Sequence, residues 1–334
     1  EPAGTSMNNS NYSQSSDPVN VIAHTLEPPA LVSNNDDEIL TTPITDVFPT
    51  TAKDIYQHYA DLSNAYTQKD VPFFFHIPLS GGGAIERIFG DCLHLVQASN
   101  VEIQYTEIHD TALHTVKHFG SDYLNLDITN SGGILKAKDL GLVSSELIDV
   151  IFAPTLHQTS ILFTPSRKAR MFALFRHPIK RAASMFYFLR SNINASSKHY
   201  AHLEKMTLEQ YAVSEYVENN WLTRILLHKL DNLAITNGDL EHAKNILREK
   251  CLVGLLSEFD ASMYRFERFF GWQVSTPQDR ECQLRHVTVG DSRHEHPEIE
   301  ENSKAWLLLQ EQNKYDMLLF EFIKTLFFIE QTNF

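Results

Sequence analysis

The stretch VPFFFHIPLSGGGAIERIFGDCLHLVQ, Val71 to Gln97, changes its period midway around a run of glycines, and that change constrains the chain more than any other feature. Phe73 to Phe75 are contiguous apolar residues, as in a short strand buried on both faces. Pro78, Ser80 and Gly81 to Gly83 break the pattern. Beyond them Ile85, Ile88, Phe89, Cys92, Leu93 and Val96 recur at three- and four-residue steps, which predicts an amphipathic helix. A strand, a glycine loop and a helix in that order leave backbone N–H groups at a positive helix end, with no side chains to keep an anion away. A tight turn needs glycine only for its backbone angles. Three in a row exceed that need and point to a phosphate cradle. The Gly-Lys-Ser/Thr ending of the common nucleotide loop is missing, which weakens a kinase or GTPase reading.

A second informative stretch is RKARMFALFRHPIKRAASMFYFLRSN. Met171 to Phe175 reads as a buried strand with Arg176 at its end. Pro178 suits a first helical turn, and Ile179, Ala182, Ala183, Phe186 and Leu189 supply the apolar stripe. Arg176 and Ser184 together offer a fork of charged donors and a hydroxyl, a fit for a phosphate monoester. Lys180 and Arg190 read instead as a solvated helix face.

Elsewhere the sequence gives an outline. Glu1 to Thr51 is rich in Ser, Asn, Pro and Asp and predicts a disordered arm or stem, leaving residues 52–334 as one α/β domain. Ile55, Tyr56, Tyr59, Leu62 and Tyr66 have the spacing of a lead-in helix. Val101 to Ile108 alternates like a strand ending at Glu107, His109 and Asp110. Asp122 to Ile128 predicts a further short strand, and the segment after it a helix leading to a strand near Val150 to Ala153, with His157 just beyond. Ligands gather at the carboxyl ends of parallel strands, which singles out His109 and His157. His114 and His118, four apart, could share a helix face but lack a third zinc ligand.

A formal charge of −14 and a pI near 5.5 argue against a nucleic-acid surface. Three cysteines are too few and too scattered for a disulfide framework or a zinc site. Cys92 reads as core, and a Cys251–Cys282 pairing is conceivable. Asn8, Asn11 and Asn194 stand in Asn-x-Ser sequons, which agrees with a glycoprotein that passes through a secretory lumen. No stretch reaches the roughly 20 apolar residues of a membrane span. The chain begins with Glu rather than Met, which leaves room for an upstream segment with an anchor.

With both stretches in hand, the chain resembles the sulfotransferases that use 3′-phosphoadenosine 5′-phosphosulfate (PAPS), especially the Golgi carbohydrate type. The family's His-x-Pro-Lys-Ser/Thr-Gly-Gly-Thr stands here as HIPLSGGGAIERIF, and its Arg-Asp-Pro-x-x-Arg-x-x-Ser-x-Tyr as RHPIKRAASMF. LVGLLSEFDASMYRFERFFGW and NKYDMLLFEFIKTLF are similar to later family segments. The resemblance implies a central parallel sheet flanked by helices, a P-loop-like sulfotransferase fold. It also implies that Leu79, Ser80, Gly81, Gly82, Gly83 and Ala84 line the 5′-phosphosulfate site, while Arg176 and Ser184 hold the 3′-phosphate. The implied base is His157, with Glu107 and His109 in reserve. Arg285, Arg293 and the Thr288 region would close over the nucleotide. The product would be 3′,5′-phosphoadenosine (PAP), the acceptor a hydroxyl of a sugar or other alcohol, and the compartment the Golgi lumen, with the cytoplasm as the alternative. The scheme requires no metal.

Two positions depart from the family pattern. Its loop lysine is Leu79 here and its loop threonine is Gly83. Losing a pre-placed donor of that kind typically costs about 10²- to 10³-fold in rate. Arg87 and Arg167 are the cations that could reach the same oxygen. Otherwise the chain is a slow or catalytically silent nucleotide binder. A nucleotide kinase with an aberrant phosphate loop is the third reading.

Overall fold

The computed structural model describes residues 48–99, 111–118, 120–191, 198–230, 233–274, 276–289 and 296–333. The arm to residue 47, the sequons, Glu107, His109 and Arg293 lie outside them, as does the strand expected over residues 101–108. In chain order the helices and strands are α1 (Ala52–Tyr56), β1 (Val71–Phe75), α2 (Gly82–Arg87), β2 (Gln97–Ala98), β3 (Thr115–His118), β4 (Ser121–Leu124), α3 (Ser131–Asp139) and β5 (Val150–Ala153). They continue with α4 (Leu156–Thr159), β6 (Ala169–Phe175), α5 (Pro178–Ser191), α6 (Leu208–Ala212), α7 (Trp221–Leu227), α8 (Asn237–Lys250), β7 (Cys251–Leu255), α9 (Phe259–Phe270), α10 (Pro277–Val289), α11 (Lys304–Gln312) and α12 (Lys314–Thr325).

The strands form one sheet in the order β3-β4-β2-β5-β1-β6-β7. Every pairing is parallel except that of β3 with β4. This is the expected α/β architecture, a mostly parallel sheet flanked by helices. β1 lies inside it between β5 and β6, with Phe73 opposite Ile151 on one side and Met171 on the other. Its alternation divides the core: Phe73 and Phe75 join one apolar cluster, while Phe74 joins the cluster on the other face. There Phe74 packs against Phe152 at 4.6 Å and Phe172 at 5.2 Å between ring centroids. The chain leaves β5 on one side of β1 and re-enters as β6 on the other. The carboxyl ends of these strands therefore frame the switch point where open α/β sheets bind ligands.

Three expectations need correction. The lead-in helix stops at Tyr56, because the segment after it is drawn to Arg170. That arginine is fully buried in β6, and it donates to the carbonyls of Asp61, Asn64 and Ala65 and to the Asp70 carboxylate. Carbonyls inside a helix are committed to its own amides, whereas this turning backbone presents three to one guanidinium. His114 and His118 share no helix, since Thr115–His118 pairs antiparallel with Ser121–Leu124. Finally, the disulfide joins Cys92 to Cys282, and Cys251 is free and buried. Cys92 is core as expected, but α10 brings its partner to it. Among the described residues no helix is long and apolar enough to cross a membrane.

Candidate functional site

The glycine corner follows directly from β1. His76 N donates to Ala153 O at 3.0 Å, which carries the ladder one residue past the strand. The chain then turns through Leu79 and Gly81, both left-handed, with φ of 61° and 86°. Gly81 is the N-cap of α2 and offers no side chain to its first amides. A Cβ on Gly82 would come within 2.3 Å of His76 Cδ2, so that glycine lets the imidazole lie against the loop. Ser80 is 1% exposed, and its hydroxyl has no hydrogen-bond partner among the described residues. A buried hydroxyl without a partner is costly unless a ligand supplies one.

Arg176 comes from the end of the neighbouring strand β6, where Pro178 stops the strand and starts α5. Its Nη1 donates to Leu79 O at 2.9 Å, tying the arginine to the glycine corner. Burial lowers the Arg176 pKa, nearby Arg181 lowers it further and Glu298 opposes them, but a guanidinium keeps its charge. Two turns into α5, Ser184 is buried. Its Oγ donates to Lys180 O at 2.9 Å and lies 2.5 Å from His296 Nε2. The His296 ring stacks on Tyr187, with centroids 4.9 Å apart and planes at 11°, and its Nδ1 faces Pro297 O. Residues 296–298 thus run past both Ser184 and Arg176 and connect the two phosphate-holding residues expected from the sequence.

The loop has no ammonium. Leu79 packs against the apolar cluster of α5 and α11. Arg87 donates through Nε to Gly83 O at 3.2 Å, one turn beyond the corner. Arg167 is excluded as a substitute: it lies before the amino end of β6, held by Val143 O and Glu146. Arg181 on α5 is buried and paired with Glu218 at 2.5 Å, over the ring of Trp221. Burial raises the Glu218 pKa and Arg181 opposes it. Lys180 and Arg190 are exposed, as expected of a solvated helix face, and so is Arg285 on α10.

His157 follows β5 on α4. Its ring centroid is 4.1 Å from that of His228, and burial followed by the charge of His228 brings its pKa down to about 3. It is therefore neutral throughout the physiological range. Two further histidines stand at strand ends without having been assigned a role. His76, next to Gly82, was visible as the first residue of the HIP motif. His177, after Arg176, has a buried Nδ1 without a partner among the described residues, and burial and then Lys180 lower its pKa.

No family model matches the chain, and no curated protein matches it. Among solved structures, a mouse sulfotransferase, SULT7A1 complexed with PAP, aligns over 76% of each chain at 14% identity and a TM-score of 0.36. An alignment this loose leaves the fold to be defined by the strand order and the site by its own geometry.

Proposed function

We propose that this protein is a sulfotransferase that binds PAPS at the carboxyl ends of β1 and β6 and transfers the sulfuryl group to a hydroxyl of a carbohydrate or other alcohol. The observation that carries this reading is the bond from Arg176 to Leu79 O, which joins the strand-end guanidinium to the glycine corner. A bisphosphorylated nucleotide needs two anion seats at a fixed separation. The amides at the start of α2 and the buried Ser80 hydroxyl suit the 5′ end, and Arg176 with Ser184 suits the 3′-phosphate.

Sulfuryl transfer requires the acceptor and leaving oxygens in line and charge stabilised on the departing nucleotide. The loop amides and Arg87 would hold the phosphosulfate oxygens. Neutral His157 would take the acceptor proton, although so low a pKa makes it a weak base by itself. The compartment we favour is the Golgi lumen. The sequons support it, and the Cys92–Cys282 disulfide suits an oxidising space.

One observation favours a second reading, a silent nucleotide binder: Leu79 turns its side chain into an apolar cluster where the family places an ammonium. Radiolabelled sulfate from PAPS, offered to a panel of sugar and small alcohols with wild type and Leu79→Lys, separates the two. Transfer by wild type, raised about 10²- to 10³-fold by lysine, supports the enzyme. Binding of PAP with transfer only in the variant supports the silent relative. Thermal stabilisation by ATP but not by PAP refutes both and favours the kinase reading.

A further inference from the structure

Cys92 and Cys282, 190 residues apart in sequence, meet with Cα atoms 5.6 Å apart where α10 crosses the helix of the glycine loop. His286 stands one turn beyond Cys282, and the two sulfurs and an imidazole nitrogen all lie within 4.8 Å of one another. Asp91 Oδ2 lies 3.3 Å from His286 Nε2, beside the imidazole. The backbone that presents Asp91 and Cys92 is irregular. α2 widens into a π turn over Ile88–Cys92, with Leu93 N bonding back to Ile88 O. Such turns occur frequently at functional sites. Gly90 lets this one press onto β4, because a Cβ there would sit 2.5 Å from Ser121 Oγ. Ser121 in turn donates to Asp91 Oδ1, which fixes the carboxylate with its other oxygen toward His286.

We infer that, once the disulfide is reduced, Cys92, Cys282 and His286 form a binding site for a thiophilic divalent cation, Zn²⁺ above all, with Asp91 orienting the imidazole. Reduction by a thiol or phosphine adds two electrons and two protons to the sulfur pair. Metal binding then displaces both protons and leaves the ion held by two thiolates and a neutral imidazole. That is a donor set zinc takes in tetrahedral geometry, with sulfurs about 3.7 Å apart at a Zn–S distance of about 2.3 Å. The site supplies three protein ligands and leaves the fourth position of the tetrahedron to water. It would clamp α10 to the glycine-loop helix, as the disulfide does when oxidised. This inference stands apart from the proposed sulfuryl transfer.

The test uses the full chain, reduced with a phosphine under inert gas, desalted and titrated with Zn²⁺ and with Co²⁺ as a spectroscopic probe. One equivalent should bind, with a thiolate-to-cobalt charge-transfer band, and the oxidised protein should bind none. Cys92→Ser and Cys282→Ser should abolish binding. His286→Ala, which leaves the core intact, should weaken it at least about tenfold, the lower end of what even indirect partners of a metal cost. Cys251→Ser should change nothing. No stoichiometric binding by the reduced chain, a cobalt complex without the thiolate band, or full affinity in His286→Ala would each overturn the assignment. Circular dichroism of the serine variants separates lost ligation from lost fold, and the alanine variant decides the matter if they unfold.

Discussion

Replacing Arg176 by alanine should cost affinity for adenosine 3′,5′-bisphosphate far more than affinity for adenosine 5′-monophosphate. In the structure one guanidinium N–H is committed to Leu79 O. The others make no bond among the described residues, and the proposed reading gives that part of the fork to a phosphate. A hydrogen bond to a charged group contributes about 1.5–3 kcal/mol, so losing one lowers affinity by about 10- to 150-fold. The monophosphate has nothing at the 3′ position and should lose little. Arg176→Lys should fall between, because an ammonium can face the carbonyl or the phosphate but lacks a planar fork to bridge them. Isothermal titration of both ligands against wild type and the two variants gives the numbers, and urea midpoints check that the fold survives. Equal losses for the two nucleotides would mean that Arg176 serves only to shape the loop. No loss for either would remove it from the site, and the two-seat argument with it.

Gly82→Ala brings a Cβ within 2.3 Å of His76 Cδ2. It should destabilise by about 1–3 kcal/mol and weaken PAP binding as the imidazole is displaced; unchanged binding would mean that this contact does not shape the cradle. Arg170→Met leaves the Asp70 carboxylate and three carbonyls without their donor. The cost should be about 3–5 kcal/mol in urea unfolding, and a loss below about 1 kcal/mol would contradict the account of the residue 60–70 segment. The folded-state pKa of His157, about 3, lies below its ordinary 6.5. Below pH 6.5 the unfolded chain therefore binds a proton that the folded chain refuses. The stabilising difference is complete above about 6.5 and is lost as the pH falls toward 3. Urea midpoints should drop faster between pH 7 and 5 in wild type than in His157→Gln, and parallel profiles would show that this imidazole is not buried neutral.

What the sequence made legible is what a contiguous apolar run or a long 3.6-residue stripe encodes. Val71–Phe75 and Ala169–Phe175 are buried at every position, so no polar alternation obscured them. Pro178 marked the start of α5 where the helix does begin. The β3–β4 hairpin was hidden because its outer strand, TVKH, buries nothing fully and so leaves no hydrophobic signature. The shortened lead-in helix depends on Arg170, more than a hundred residues away, and the Cys92–Cys282 pairing on where α10 comes to rest. Both are tertiary facts with no local period. Ser80 and Arg176 could be read as a site because their motifs are local. His296 could not be placed, because its contact with Ser184 spans 112 residues.

Leu79 shows how the corner is organised. Its left-handed backbone is unfavourable by about 1–2 kcal/mol for any residue with a Cβ, so strain does not favour leucine over lysine. The difference lies in the side chain. Leucine buries hydrocarbon against the α5 cluster, where each Å² removed from water contributes about 25 cal/mol. A lysine could bury its stem the same way and still leave its ammonium over the loop, so adhesion alone does not require leucine either. What leucine changes is the field. The cations at the corner become Arg176, from the next strand, and Arg87, from within the helix. Both act through planar guanidiniums held by backbone carbonyls, and neither sits on the loop itself. On the proposed reading such a corner would grip an anion from its sides with no ammonium on the loop itself, an arrangement that favours binding over stabilising charge on a departing phosphate. Restoring an ammonium at residue 79 should therefore raise kcat while changing the affinity for PAP much less. A variant that tightens PAP without raising kcat would refute this division of labour between the loop and its flanking arginines.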